Sequence, residues 1–381
     1  VNSGLSDLFG RPEQIAVERA LAEFRSGRPV IMTGDGEHFI ILPAEGITDE
    51  LLASFRRLCA PVCPHLAISK RRARALGLTA TGPVGLTVSE RDDAAAILSF
   101  VADARVEQRL DVVPAASVAA AAIEIAKLAQ RLPALLVAQV AAADFIACDP
   151  PLMHVSADAV AGFRDAAIHS LSIVTEANIP LNGGLPARFV IFRDAIGGSS
   201  VAVILGAPDF AKPVAVRLHS ACLTGDVFGS RRCDCGDQLR LSIGRLEEKG
   251  GGIILYLDQE GRGLGLANKM RTYRLQDAGF DTLDANTALG FDDDERDYGV
   301  AVRMLQMLGC PRVRLLTNNP AKVEGLSGAG IEVVGQIALH GPVNADNRRY
   351  LNAKATRAGH KFDHLLSLLA EGEPVGDKQT P

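Results

Sequence analysis

Three cysteines fall within fourteen residues, Cys222, Cys233 and Cys235, in the run RLHSACLTGDVFGSRRCDCGDQL. Three thiolates make an incomplete tetrahedron around zinc. A structural zinc site closes with four protein ligands, whereas a catalytic one keeps a position for water. No fourth cysteine stands nearby, and the Arg, His, Ser, Thr, Asp and Gly around the trio are the residues of a polar pocket. The pattern points to a metal-activated water acting as nucleophile near neutral pH. Two plainer readings compete: buried thiols that bind nothing, and a structural site closed by His219.

Further chemistry-bearing groups follow along the chain. The run DQEGRGLGL, from Asp258 to Leu266, leaves an apolar strand and opens a helix. Free amides at a helix start attract anions. Alone this is a weak signal, with a packing turn the better reading, and it lacks the GxxxxGK[ST] pattern of a P-loop. Glu260 beside Arg262 strengthens it, since a carboxylate can read a donor edge while a guanidinium holds phosphate. The run GFDDDERDYG sets Asp292, Asp293, Asp294, Glu295, Arg296 and Asp297 at the start of a helix expected from Asp294 to Leu308. Acidic residues there suit the macrodipole without any function, whereas Arg296 opposes it and calls for an anionic partner. Thr317, Asn318 and Asn319 end a buried strand, where open α/β sheets hold ligands. Lys322 follows within a turn, either solvated or on phosphate. Cys59, Cys63 and His65 in CAPVCPH lack a fourth partner and are read as incidental; Cys148 and Cys310 are read as core thiols.

The elements that must carry these groups alternate. From Ala16 to Thr175, AVERALAEFRSG, DELLASFRRLCA and SVAAAAIEIAKLAQRL have helical spacing, while RPVIMT and ALLVAQVA read as strands. EANIPLNGGLP collects turn residues and marks a boundary. Beyond it ARFVIFRDA, VAVILGA, PVAVRLHS, GGIILYLDQ, RVRLLTNN and IEVVGQI are strands. GDQLRLSIGRLEEKG, a segment from Leu264 to Asp277, and PAKVEGLSGAG are helices, the last with Pro320 in its first turn. The expectation is an α/β (α+β) protein of two domains, residues 1–183 and 184–365, each a mixed sheet covered by helices. Residues 366–381 form a charged, disordered tail.

Composition bounds the function. The chain of 381 residues is long enough for two cores. A formal charge of -5 argues against coating nucleic acid. Seven cysteines without regular spacing suggest reduced thiols in the cytoplasm. VNSGLSDLFGRPEQ has no apolar signal-peptide segment. LPALLVAQVAAADFIA, interrupted by Gln139 and Asp144, falls short of a membrane span.

Taken together, RLHSACLTGD, SRRCDCGDQL, LDQEGRGLGLANKMRTYRLQD, GFDTLDAN, LGFDDDERDYG and RLLTNNPAKV resemble GTP cyclohydrolase II, the family that opens the guanine ring at the start of riboflavin synthesis. The resemblance runs from Leu185 to Lys361. It implies that Cys222, Cys233 and Cys235 hold one zinc per subunit. It sets Arg217, Leu218, His219, Ser220, Ala221, Gln238, Glu260, Gly261, Arg262, Thr282, Thr317 and Lys322 on GTP-binding positions. Asp294 matches the proton acceptor, Arg296 the residue assigned as nucleophile toward the α-phosphate, and Tyr273 the active-site tyrosine. Arginine keeps its proton and offers no lone pair, so Arg296 reads better as an electrostatic clamp. Ala221 departs from the glutamate common in the family. Mg²⁺ on the GTP phosphates and a homodimer are likewise implied. The expected products are 2,5-diamino-6-ribosylamino-4(3H)-pyrimidinone 5′-phosphate, formate and pyrophosphate. Two rivals stand beside this: a ring-opening hydrolase stopping at a formamidopyrimidine, and a non-catalytic nucleotide-binding regulator with structural zinc. The first half is faintly similar to 3,4-dihydroxy-2-butanone 4-phosphate synthase in GRPVIM, SVAAAAIEIAKLAQRLPALLVAQV and AGFRDAAIHSLSIVT. It lacks that family's acidic run, keeping only Asp35 and Glu37, and has Ser117 and Val118 where a histidine is expected. A catalytically silent domain is the implication.

Overall fold

The structure, a computed structural model, describes residues 10–104, 106, 110–141, 149–182, 185–348 and 351. Cys148, the tail 366–381, and Gly183 and Gly184, where the sequence sets its domain boundary, lie outside the described residues. The chain divides into two compact units. One comprises Val1–Ala166 with Ala267–Glu295, the other Ala167–Leu266 with Arg296–Pro381. Each is built on a seven-stranded mixed sheet, as the alternation of elements leads one to expect.

The first unit orders its strands β5-β4-β3-β6-β2-β1-β7. These are β1 Val30–Gly34, β2 Glu37–Pro43, β3 His65–Ile68, β4 Val84–Thr87, β5 Val112–Val113, β6 Ala134–Val140 and β7 Met153–Ser156. Among the described strands of this sheet only β1 and β7 pair in parallel. The central strands β2 and β6 carry unbroken apolar runs, Phe39–Leu42 and Ala134–Ala138, all buried, as a sheet covered on both faces requires. Among the covering helices, Lys70–Ala75 starts at Ser69, whose hydroxyl accepts the Arg72 N–H at 3.1 Å. Helix Thr282–Ala288 packs against it, capped by Asp281.

The second unit orders its strands β14-β13-β11-β12-β10-β9-β8. In chain order they are β8 Ser172–Asn178, β9 Ala187–Arg193, β10 Ser199–Gly206, β11 Val214–Ser220, β12 Gly251–Leu257, β13 Arg312–Leu316 and β14 Glu332–Ile337. Strand β8 precedes the sequence-derived boundary yet pairs with β9. Strands β12, β11, β13 and β14 run parallel. Their carboxyl ends therefore send the loops after Ser220, Leu257 and Leu316 out on one side, where such sheets hold ligands. Helix Cys235–Glu248 packs Leu246 over Ile254 on one face. The other face buries Met304, Leu305 and Leu326 against Val216, Leu218 and Leu255. Gly252 permits the helix to approach, since a Cβ there would stand 2.5 Å from Leu246 Cδ2.

One element differs from expectation. The helix expected from Asp294 begins only at Gly299, and residues 292–297 form a loop. The Asp297 carboxylate accepts the Gly299 N–H at 2.7 Å, fixing the later start. The macrodipole explanation of Asp292 and Asp293 is thereby corrected: these carboxylates do not lie in a helical turn.

Candidate functional site

The loop after β11 and the start of helix Cys235–Glu248 bring the three cysteines together. Their sulfur atoms all lie within 4.8 Å of one another, with Cys222 and Cys233 at 3.7 Å. Three thiolates on zinc at ~2.3 Å in tetrahedral geometry stand about 3.8 Å apart, so the trio fits the ion. Crowding points the same way. Hydrogen bonding to Cys222 is the first cause that holds the Cys233 and Cys235 thiols above their ordinary range. A central cation would replace those sulfur–sulfur hydrogen bonds and favour the thiolate forms. Gly225 supplies the cradle: a Cβ there would stand 2.9 Å from Cys233 Sγ and 3.1 Å from Cys222 Sγ. Among the described residues no fourth His, Cys, Asp or Glu joins the group.

His219, weighed above as a fourth ligand, turns elsewhere. Its Nε2 lies 3.0 Å from both carboxylate oxygens of Asp226. A carboxylate only accepts, so Nε2 carries the proton and Nδ1 is the bare acceptor. Burial lowers the imidazole, with the Asp226 hydrogen bond opposing it, so the ring is neutral. Asp226 also accepts the Cys222 N–H at 3.0 Å and the Tyr256 hydroxyl at 2.9 Å. One buried carboxylate thus ties β11, β12 and the first cysteine together. Asp226 and Tyr256 were missed from sequence; the signal was a carboxylate four residues after a candidate ligand.

A second network orders the other two cysteines. Arg217, buried on β11, donates to the Leu316 carbonyl at 3.0 Å and to the Gln238 side-chain oxygen. Gln238 in turn donates to Asp234, which sits between Cys233 and Cys235. Burial pushes the Arg217 guanidinium down to about 10, so it stays charged at neutral pH. Glu260 accepts the Leu223 N–H at 2.6 Å, beside Cys222. Gly261 and Arg262 both take φ of 63°, left-handed backbone that a non-glycine residue adopts only at a cost. Strained backbone of this kind clusters at active sites and ligand clamps.

At the end of β13, Thr317 accepts the Asn319 N–H at 3.0 Å, and the buried Lys322 donates to the Leu218 carbonyl at 2.7 Å. Lys322 is therefore not a solvated lysine. Asn318 is spent on structure, bonding Leu339 in both directions. Ala221 donates its N–H to the Leu257 carbonyl at 2.8 Å. Four buried polar atoms at these strand ends have no hydrogen-bond partner: Arg217 Nε, His219 Nδ1, Ser220 Oγ and Gln259 Oε1. Buried polar atoms are almost always paired, so these mark places where a polar ligand or water completes the set.

Of the remaining candidate site residues, Tyr273, Thr282 and Asp294 lie in the first unit, and Arg296 opens a segment of the second. Tyr273 lies on helix Leu266–Asp277 with the Lys269 ammonium 5.8 Å from its ring centroid. Thr282 accepts from Gln276 at 3.0 Å. Asp294 stands in the acidic loop. The guanidinium of Arg296 lies 5.6 Å from the Tyr298 ring centroid. Cys310 is a core thiol, pushed up to about 11 by burial. Cys59 is buried at a helix end and Cys63 is exposed.

Residues 172–338 match the family model described as GTP cyclohydrolase II. The chain is 40% identical over 366 residues to GTP cyclohydrolase-2 of Azospirillum brasilense, covering 91% of this chain and 94% of that one. It is 38% identical over 376 residues to GTP cyclohydrolase-2 of Xylella fastidiosa, covering 98% and 94%. To the riboflavin biosynthesis protein RibBA of Phocaeicola vulgatus it is 34% identical over 392 residues, covering 90% and 96%. The likeness extends through the first unit as well as the cysteine-bearing one, and the chain belongs to the GTP cyclohydrolase II family of hydrolases.

Proposed function

We propose that the chain hydrolyses GTP to 2,5-diamino-6-ribosylamino-4(3H)-pyrimidinone 5′-phosphate, formate and pyrophosphate. The observation that carries the reading is the triangle of three cysteine sulfurs, none in a disulfide, without a fourth protein ligand among the described residues. Two waters release C8 of guanine as formate, and a third cleaves the α–β phosphoanhydride. Zinc held by Cys222, Cys233 and Cys235 would supply the Lewis acidity that activates water near neutral pH.

The chain's own residues bind, orient and move protons. Arg217 and Lys322 supply buried positive charge, and Arg262 adds a guanidinium; Mg²⁺ carried on the GTP phosphates would add to that neutralisation. Glu260 accepts donors of the base, with Gln238, Thr282, Thr317, Gly261 and the β11 end from Leu218 to Ala221 completing the site. Asp294 accepts a proton, and Tyr273 steadies the departing formyl group by hydrogen bonding. Arg296 clamps the α-phosphate as charge develops there. Arg296→Lys should keep partial pyrophosphate release, whereas a guanylyl adduct trapped on Arg296 would overturn the clamp.

We propose further that residues 184–365 form the cyclohydrolase segment of a cytoplasmic homodimer. Residues 1–183 are then a synthase-like segment without its own catalysis. Butanone phosphate formed from ribulose 5-phosphate by the pure protein would contradict that last assignment. The test of the main reading is incubation with GTP and Mg²⁺, following formate and pyrophosphate together. Equal yields support it. Ring opening without formate indicates a formamidopyrimidine product, and GTP binding without turnover indicates a regulator.

A further inference from the structure

Within the first unit, the stretch from Ala288 to Glu295, which bears Asp294, is strapped by four side chains from the N-terminal part of the chain. The Ser69 hydroxyl donates to the Gly290 carbonyl, and the buried Arg72 guanidinium donates to the Ala288 carbonyl at 2.6 Å. Arg72 spends its other donors on the carbonyls of Phe100, Ser99 and Asp103, locking its own position. Immediately beyond, Arg71 Nε meets Asp292 at 2.7 Å. Lys127 Nζ meets Asp292 at 2.9 Å and Glu295 at 2.7 Å. Glu295 also accepts the Asp292 N–H at 2.8 Å, closing the loop on itself. The Lys127 and Glu295 side chains are only 12% and 10% exposed, so this is a desolvated pair. Such pairs add little net stability, because desolvation offsets their attraction; fixing one conformation is their best-supported use.

What the strap fixes is informative. Asp292 and Glu295 flank Asp294, and Glu295 directly precedes Arg296. Gly290 takes φ of 87°, and a Cβ there would stand 2.9 Å from both Ser69 Oγ and Pro133 Cγ, so the backbone entering the loop passes these residues where no side chain fits. Burial alone would raise the Asp292 carboxyl, but Arg71 and Lys127 outweigh it and hold the group down at about 2. It stays ionised throughout the working pH range.

We propose that Arg71 and Lys127 are positioning residues for the ring-opening reaction, holding the backbone on both sides of Asp294 through Asp292 and Glu295. The inference rests on the assignment of Asp294 and Arg296 given above. It supplies a reason for a cyclohydrolase to keep an N-terminal segment with no reaction of its own: that segment is the anchor of the acidic loop. Neither residue touches substrate. Each acts through Asp292 and Glu295.

The test uses the full-length, zinc-loaded protein and the variants Lys127→Met, Lys127→Arg and Asp292→Asn. Misplacing a catalytic group by about 1 Å costs up to about a hundredfold in rate. Lys127→Met and Asp292→Asn should lower kcat for formate release by about ten- to a hundredfold. KM for GTP should stay within about twofold, because phosphate and base contacts are made elsewhere. Zinc content should not change, and Lys127→Arg should recover most of the rate. Wild-type kcat in both Lys127→Met and Asp292→Asn overturns the proposal. So does a fall in kcat matched by loss of zinc and of cooperative unfolding, with no recovery in Lys127→Arg. If Lys127→Met does not fold, Asp292→Asn decides, since it removes charge without leaving a buried ammonium wholly unpaired. A wild-type protein that releases no formate from GTP fails the parent reading instead, and the two failures are told apart by that control.

Discussion

Replacing Gly225 by alanine probes the metal cradle with one carbon atom. Gly225 lies in the short helix Leu223–Asp226, outside the left-handed region, so its backbone conformation accepts alanine. On that ground alone the change would stabilise the protein by about 0.4–1 kcal/mol, by restricting the unfolded chain. The added methyl, however, would stand 2.9 Å from Cys233 Sγ, 3.1 Å from Cys222 Sγ and 3.2 Å from Cys235 Cβ. Ordinary contact needs roughly 3.5–4.0 Å, so all three cysteines must retreat by about half an ångström. They cannot retreat independently, because Cys222 is held through its N–H by Asp226. The expected result is a sulfur triangle too wide for a small ion. Zinc affinity should fall about 10–100-fold, the size of effect produced when the surroundings of metal ligands are disturbed. Competition against a chromophoric chelator measures it, with circular dichroism as the check on folding. Gly252→Ala is the control, since its clashes with the Ala215 carbonyl and with Leu246, each at 2.5 Å, loosen the fold without touching sulfur. Wild-type zinc affinity in Gly225→Ala would refute the reasoning that this glycine shapes the site.

Asp226→Asn leaves one of the donors from His219, Cys222 and Tyr256 facing a donor. It should destabilise the fold by about 1–3 kcal/mol and weaken zinc binding, read by thermal melting and metal competition. Tyr256→Phe removes a single hydrogen bond and should cost about 1 kcal/mol by the same melting measurement. Asp292 gives a pH signature. Its folded pKa is depressed to about 2, so its contribution is present above the unfolded value and lost as pH falls from about 4 through 2. With its side chain 35% exposed, screening reduces that contribution to about 1 kcal/mol. Comparing acid unfolding of wild type and Asp292→Asn between pH 5 and pH 2 isolates it, and parallel curves contradict it. Lys322→Met should raise KM for GTP about tenfold or more, a charge-assisted hydrogen bond being worth about 1.5–3 kcal/mol. An unchanged KM in steady-state kinetics would confine Lys322 to its bond with the Leu218 carbonyl.

What could be read from the chain and what could not divide along physical lines. Most strands of the second unit announce themselves by apolar runs bounded by Gly, Pro, Asp or Asn, and the cysteine trio lies within one loop and one helix start. Local signals suffice there. The acidic loop was misread as a helix start because a run of carboxylates satisfies the macrodipole as well as it satisfies Arg71 and Lys127. Those partners stand 221 and 165 positions away, and nothing local announces them. Asp226 escaped for the opposite reason. It sits in the quoted motif, but a carboxylate beside a metal loop gives no sign that it binds three donors instead of the ion. Strand β8 is exposed at every position, so it lacks the apolar alternation that marks a strand. Only its pairing with β9 defines it.

The most direct test of the central claim is a zinc titration of metal-stripped protein, with formate release from GTP measured at each point. Formate production should rise in proportion to zinc and level off at one equivalent per chain, and Cys235→Ser should flatten the curve. Full formate release without metal would contradict the claim. So would X-ray absorption showing the ion closed by four protein ligands.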